Sequence, residues 1–92
     1  MTTPNRITTW RAEITLELKR RGLTWGDVLH CTLTGDRLDR EFDRGFGAPE
    51  GDPFTLWTPE WVLFPVSYDG EENVASVPRN PSDYAQPHIG QD

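Results

Sequence analysis

Ninety-two residues with 35% hydrophobic and 26% charged side chains describe one small domain, too rich in aromatics for wholesale disorder and too small to favour an enzyme with a deep pocket. A net charge of -6 and a pI of about 4.7 exclude direct binding to a nucleic-acid backbone, which needs clustered Lys and Arg. The lone Cys31 excludes an intrachain disulfide, and no apolar run approaches the roughly 18 residues of a membrane span, which points to a soluble protein of a reducing cytoplasm.

Residues 1–6 are polar, contain a proline and read as a frayed N-terminus. Thr8 or Thr9 can cap a helix that runs to about Arg21 and is stopped by Gly22. Trp10, Ile14 and Leu18 then fall on one stripe, and Lys19, Arg20 and Arg21 occupy the last turn, where cations favour the helix dipole. Leu16 lies off that stripe, which predicts a helix contacted on two sides.

Thr24-Trp25-Gly26-Asp27 reads as an imperfect capping box leading into a short helical turn, with Trp25 and Leu29 packing inward together. Cys31-Thr32-Leu33 is either the end of that turn or an extra edge strand. DRLDREFD reads as a second polar helix in which Leu38 and Phe42 share a face, while Arg37 with Glu41 and Asp36 with Arg40 make i, i+4 pairs. The helical part thus covers residues 7–44, and the glycine-rich loop of residues 45–53 leads out of it.

Residues 53–81, PFTLWTPEWVLFPVSYDGEENVASVPRNP, hold five of the ten aromatics together with most residues suited to strands. Thr58-Pro59-Glu60 and Asp69-Gly70-Glu71-Glu72 are turn chemistry between short runs, predicting a three-stranded antiparallel meander over residues 54–77. Residues 78–92 are polar, contain three prolines and read as a tail or strap. The fold class expected is therefore α+β, with N-terminal helices packed on that meander as a single domain of residues 1–92. Trp10 and Phe64 are its expected core aromatics.

No catalytic constellation or metal site stands out, and no cofactor is implied. GFGAPEG lacks the Lys of a phosphate loop and precedes a strand instead of a helix. His30, Cys31 and the distant His88 do not match a zinc-site spacing, and Cys31 beside His30 is better explained as a packed thiol than as a nucleophile with its base. The pattern that does stand out is acidic and aromatic: residues 50–72 carry six carboxylates and no Lys or Arg. Residues 45–92 as a whole hold one basic and eight acidic side chains, against eight and seven in residues 1–44. Carboxylates flanked by tryptophan suit a basic protein surface, with charge steering the encounter and an aromatic anchoring it. Glu50, Asp52, Trp57, Glu60, Trp61, Asp69, Glu71 and Glu72 are the candidate partner-binding residues. Either one set of tryptophans is exposed there, or helix and tail cover both faces and make all of them core.

The segments TWGDVLHCTLT, LDREFDRGFG, PFTLWT, VLFPVSYDG and SVPRNP, within residues 24–81, resemble a group of small phage- and prophage-encoded proteins of Gram-negative bacteria. Those motifs carry no known catalytic chemistry, and no functional residue transfers with them. The resemblance implies a phage origin, the host cytoplasm as location, and the kind of small acidic protein that inhibits host defence, anti-CRISPR proteins included. Expected from this is a non-enzymatic inhibitor that occupies a basic surface of a host protein or ribonucleoprotein, as monomer or homodimer. The alternative is a self-associating structural or accessory phage protein; an enzyme using Cys31 or the loop at 45–53 ranks below both.

Overall fold

The computed structural model describes residues 6–45, 50–68 and 71–89. Among the described residues there are six strands and one α-helix, besides two 3-10 turns: β1 (Ile7–Thr8), α1 (Trp10–Arg20), β2 (His30–Cys31), β3 (Phe42–Asp43), β4 (Leu56–Trp57), β5 (Trp61–Tyr68) and β6 (Glu71–Pro78). β1 and β3 pair antiparallel as a two-stranded sheet, and β2-β4-β5-β6 form a four-stranded antiparallel sheet in that order. N-terminal helices on a three-stranded meander are thus not what this chain builds. It has one helix against two sheets, and the β4-β5-β6 run is widened by an edge strand from the N-terminal half.

The second predicted helix is the main correction. Only Gly35–Arg37 turns, as a 3-10 helix, and Thr34 makes no side-chain cap bond to hold a longer one. By Phe42 the chain is extended, because pairing with β1 sets Thr8 opposite Phe42 and Ile7 opposite Asp43. Leu38 and Phe42 still reach the core. Their charged neighbours do not pair along a helix: Arg37 and Arg40 both reach Asp52, at 3.5 Å each.

α1 follows its sequence closely. Thr9 is the N-cap and accepts a hydrogen bond from the Ala12 N–H, and Gly22 continues past the C-cap with a φ of 74°. Trp10, Ile14 and Leu18 are buried on Leu33, Leu38, Phe42, Phe54, Leu56 and Leu63. Leu16, by contrast, is 59% exposed, so the helix is contacted on one side. Thr24 and Asp27 complete a reciprocal capping box around the 3-10 turn Trp25–Asp27. Trp25 packs on the core while Leu29 stays 61% exposed, so the two do not turn inward together.

Register decides the two faces of the large sheet. Leu56 stands opposite Leu63, and Leu63 opposite Ser76, on the face that α1 covers. Strand alternation then puts Trp57, Val62, Phe64, Val66, Ala75 and Val77 on the other face. Phe64 is therefore only half-buried and is no core aromatic. No described helix or strand lies across that second face.

Candidate functional site

The seven described residues among the eight singled out by sequence do not form one patch. Trp57 and Trp61 lie on opposite faces of the sheet, because Trp57 pairs with Val62, the neighbour of Trp61. Trp57 is half-buried, with the His30 ring 5.4 Å away across the β2–β4 pair. Asp69 lies outside the described residues, as do Gly70 and residues 46–49 of the glycine-rich loop.

Four of the carboxylates gather beside arginines contributed by the N-terminal half. Glu72 is 3% exposed, and its carboxylate accepts the backbone N–H groups of Glu50 at 2.7 Å and Gly51 at 3.1 Å. It ties the loop to β6 and has no surface to offer a partner, which removes it from the candidates. Asp52 is held by Arg37 and Arg40, and Glu71 by Arg44 at 3.0 Å. Glu50 is exposed, with its carboxylate within 3.4 Å of the Asp43 N–H.

The other centre is at the far end of β5. Thr58 is fully buried and its hydroxyl accepts the Trp61 N–H at 3.0 Å, which closes the Thr58-Pro59-Glu60 turn. Arg79 fastens that turn to the start of the tail: its N–H donates to the Glu60 carbonyl and its guanidinium to the Thr58 carbonyl. The tail then places Tyr84 edge-on to Trp61, with ring centroids 5.3 Å apart at 82°.

A buried polar relay fixes the far side of Trp61. Ser76 donates its hydroxyl to the Glu17 carboxylate at 2.6 Å and accepts from Arg21 Nε at 2.8 Å. The Arg21 guanidinium, so oriented, lies 3.8 Å from the centre of the Trp61 ring and reaches the Tyr84 hydroxyl at 3.3 Å. Trp61 and Tyr84, with Glu60, Pro78, Asn80 and Pro81, border a groove of about 380 Å³. Arg21 does not line it, so the groove opens away from the guanidinium.

Compared with known protein families, curated proteins and solved structures, the chain matches none.

Among the described residues there is no group of His, Cys, Asp and Glu able to hold a metal ion. Burial pushes the Cys31 thiol up from its ordinary pKa, with a backbone hydrogen bond at Leu33 opposing, which favours the protonated form. The groove offers aromatic faces, prolines and one carboxylate, a set suited to binding. Tyr84, Arg21, Pro78 and Pro81 were not legible as site residues: the tail carries no periodic signal, and Arg21 reads as a helix-end cation. The excess of proline after residue 77 was the one hint.

No described helix is long and apolar enough to cross a membrane.

Proposed function

We propose that this protein is a non-enzymatic, acidic protein-binding module that occupies a basic surface of a host nucleic-acid-handling complex. One observation carries the reading: the arginines are used inside the chain, while Lys19 and several carboxylates are left exposed. Arg11 pairs with Asp39, Arg20 with Glu17, Arg37 and Arg40 with Asp52, and Arg44 with Glu71. Arg21 is bound to Ser76, Arg79 to Thr58, and Arg6 also has a partner. Asp36, Glu41, Glu60 and Asp83 are exposed and have no cationic partner among the described residues. Each ion pair cancels charge equally, so the balance of -6 falls on the remaining side chains, among which exposed carboxylates predominate.

An acidic surface of this kind competes with nucleic acid for the same Lys/Arg groove. Resemblance to phage proteins favours a bacterial defence complex, of CRISPR type among others, as the target. The test is capture from a bacterial host lysate with wild-type protein and with a variant carrying Asp36→Asn, Glu41→Gln, Glu60→Gln and Asp83→Asn. Loss of capture in the variant at low salt is the expected result; equal capture overturns the electrostatic reading.

A second reading, self-association, is favoured by the half-buried apolar row of Trp57, Val62, Phe64, Val66 and Val77 on the face that α1 does not cover. It does not run through the β6 edge. There the Glu72 N–H donates to the Arg44 carbonyl, Arg21 approaches the Ser76 carbonyl, and Pro78 has no N–H to give. Light scattering decides it: a mass that stays monomeric at rising concentration, unchanged by Phe64→Glu, removes self-association.

A further inference from the structure

We infer that the groove beside Trp61 is a receptor for an arginine side chain presented by an extended, proline-containing segment of a partner protein. The inference rests on the acidic-binder reading and names the residue class that the binder takes.

Three features of the groove point to arginine. First, Glu60 is the one charged residue lining it, so a cation entering meets a carboxylate, while the adjoining Arg21 and Arg79 guanidiniums are committed to hydrogen bonds within the fold, Arg21 to Ser76 and Arg79 to the Thr58 carbonyl. Glu60 has no ion-pair partner among the described residues, while its backbone is pinned by the Arg79 N–H at 2.8 Å. Asp83, which lies in sequence between the lining residues Ser82 and Tyr84 without lining the groove, is also unpaired among the described residues.

Second, the aromatic pair is already shown to suit a guanidinium. Arg21 lies 3.8 Å from the Trp61 ring centre and 5.4 Å from that of Tyr84, the geometry of a planar cation on a π-face. Trp61 also faces the groove, and Tyr84 remains 43% exposed there. An incoming arginine can therefore repeat on the groove side what Arg21 does within the fold. Its fork matches the Glu60 carboxylate, which a lysine's point charge does less well.

Third, Pro78 and Pro81 border the same groove. A proline-and-aromatic trough matches the flat faces of an extended polyproline-type segment, whose backbone is preorganised and loses little entropy on docking. A volume of about 380 Å³ fits one large side chain and part of its neighbour, well short of a folded element.

The experiment uses the whole chain and a fluorescein-labelled hexapeptide of alternating arginine and proline. Lysine–proline and glutamate–proline hexapeptides of the same length serve as comparisons. Affinity is read by anisotropy, and the place of binding by the shift of the Trp61 indole N–H resonance. The expected order is arginine over lysine, with no binding of the glutamate peptide, and a saturable shift at Trp61. Glu60→Gln and Tyr84→Ala should each weaken the arginine peptide by about two- to fivefold. Asp39→Asn, which removes a surface carboxylate paired with Arg11 and outside the groove, should leave it unchanged.

Peptide binding that leaves Trp61 unshifted, or that weakens equally with Asp39→Asn and Glu60→Gln, overturns the arginine receptor but leaves a diffuse acidic binder standing. Equal affinity for the lysine peptide overturns the choice of arginine. No binding by any peptide overturns the receptor, while salt-sensitive capture of a host complex would still separate that failure from failure of the acidic-binder reading.

Discussion

At the scale of single residues, two positions tie the loop into the fold. Gly51 packs so closely under Trp10 that a Cβ added there would stand 2.6 Å from Trp10 Cζ2, and the Trp10 indole N–H donates to the Asp52 carbonyl at 2.9 Å. We expect Gly51→Ala to cost about 1–3 kcal/mol in urea unfolding, since a rigid buried indole has to move. Gly26→Ala, whose Cβ would meet only Thr24 Oγ1 at 3.4 Å, should change little. Glu72 is the second tie. Glu72→Ala should cost about 1–3 kcal/mol by leaving the Glu50 and Gly51 N–H groups without their acceptor. A variant as stable as wild type would contradict the internal role assigned to Glu72. A third residue-scale expectation concerns pH. Asp39 beside Arg11 has its carboxyl held below the ordinary 3.8, chiefly by the hydrogen bond to Arg11. A depressed folded pKa stabilises the protein above the unfolded value, and that contribution is lost as pH falls through the lowered one. Thermal melts of wild type and Asp39→Asn should therefore converge as the solution is acidified through that window.

At the scale of elements, the contrast between Trp10 and Phe64 tests which sheet face is the core. Trp10 is 1% exposed, in contact with Phe42 and Phe54, so Trp10→Ala should cost about 3–5 kcal/mol. Phe64 sits half-buried on the face opposite α1, and Phe64→Ala should cost clearly less; equal losses would mean that both faces of the sheet are core. Helix α1 was legible because its information is local: a cap, a stripe and a stop lie within fourteen residues of one another. The three C-terminal strands were legible from their turn residues and β-branched runs. The segment DRLDREFD was not, because its i, i+4 charges and its Leu38–Phe42 spacing suit a helix, whereas long-range partners decide the outcome. Pairing of Phe42 with Thr8 and capture of Arg37 and Arg40 by Asp52 outweigh local propensity there. Strand parity was the other failure. Val62, Phe64 and Val66 alternate as convincingly as Trp61, Leu63 and Pro65, and sequence cannot say which row meets α1.

At the scale of the molecule, the acidic excess of residues 50–72 was legible but its distribution was not. The arginines of residues 1–44 fold back on Asp52 and Glu71, Glu72 turns inward, and the two tryptophans part to opposite faces. What faces solvent keeps Glu50 and Glu60 of the original candidates and adds Asp36, Glu41 and Asp83, with Glu60 lining an aromatic groove. The central claim is that this surface takes the place of nucleic acid on a basic partner. It is tested most directly by immobilising the protein, loading host lysate at low salt, and eluting in parallel with rising salt and with added DNA or RNA. The account predicts one nucleic-acid-handling complex, released by both eluants. Capture that resists salt and nucleic acid alike, or recovery of nothing beyond the protein itself, would contradict it.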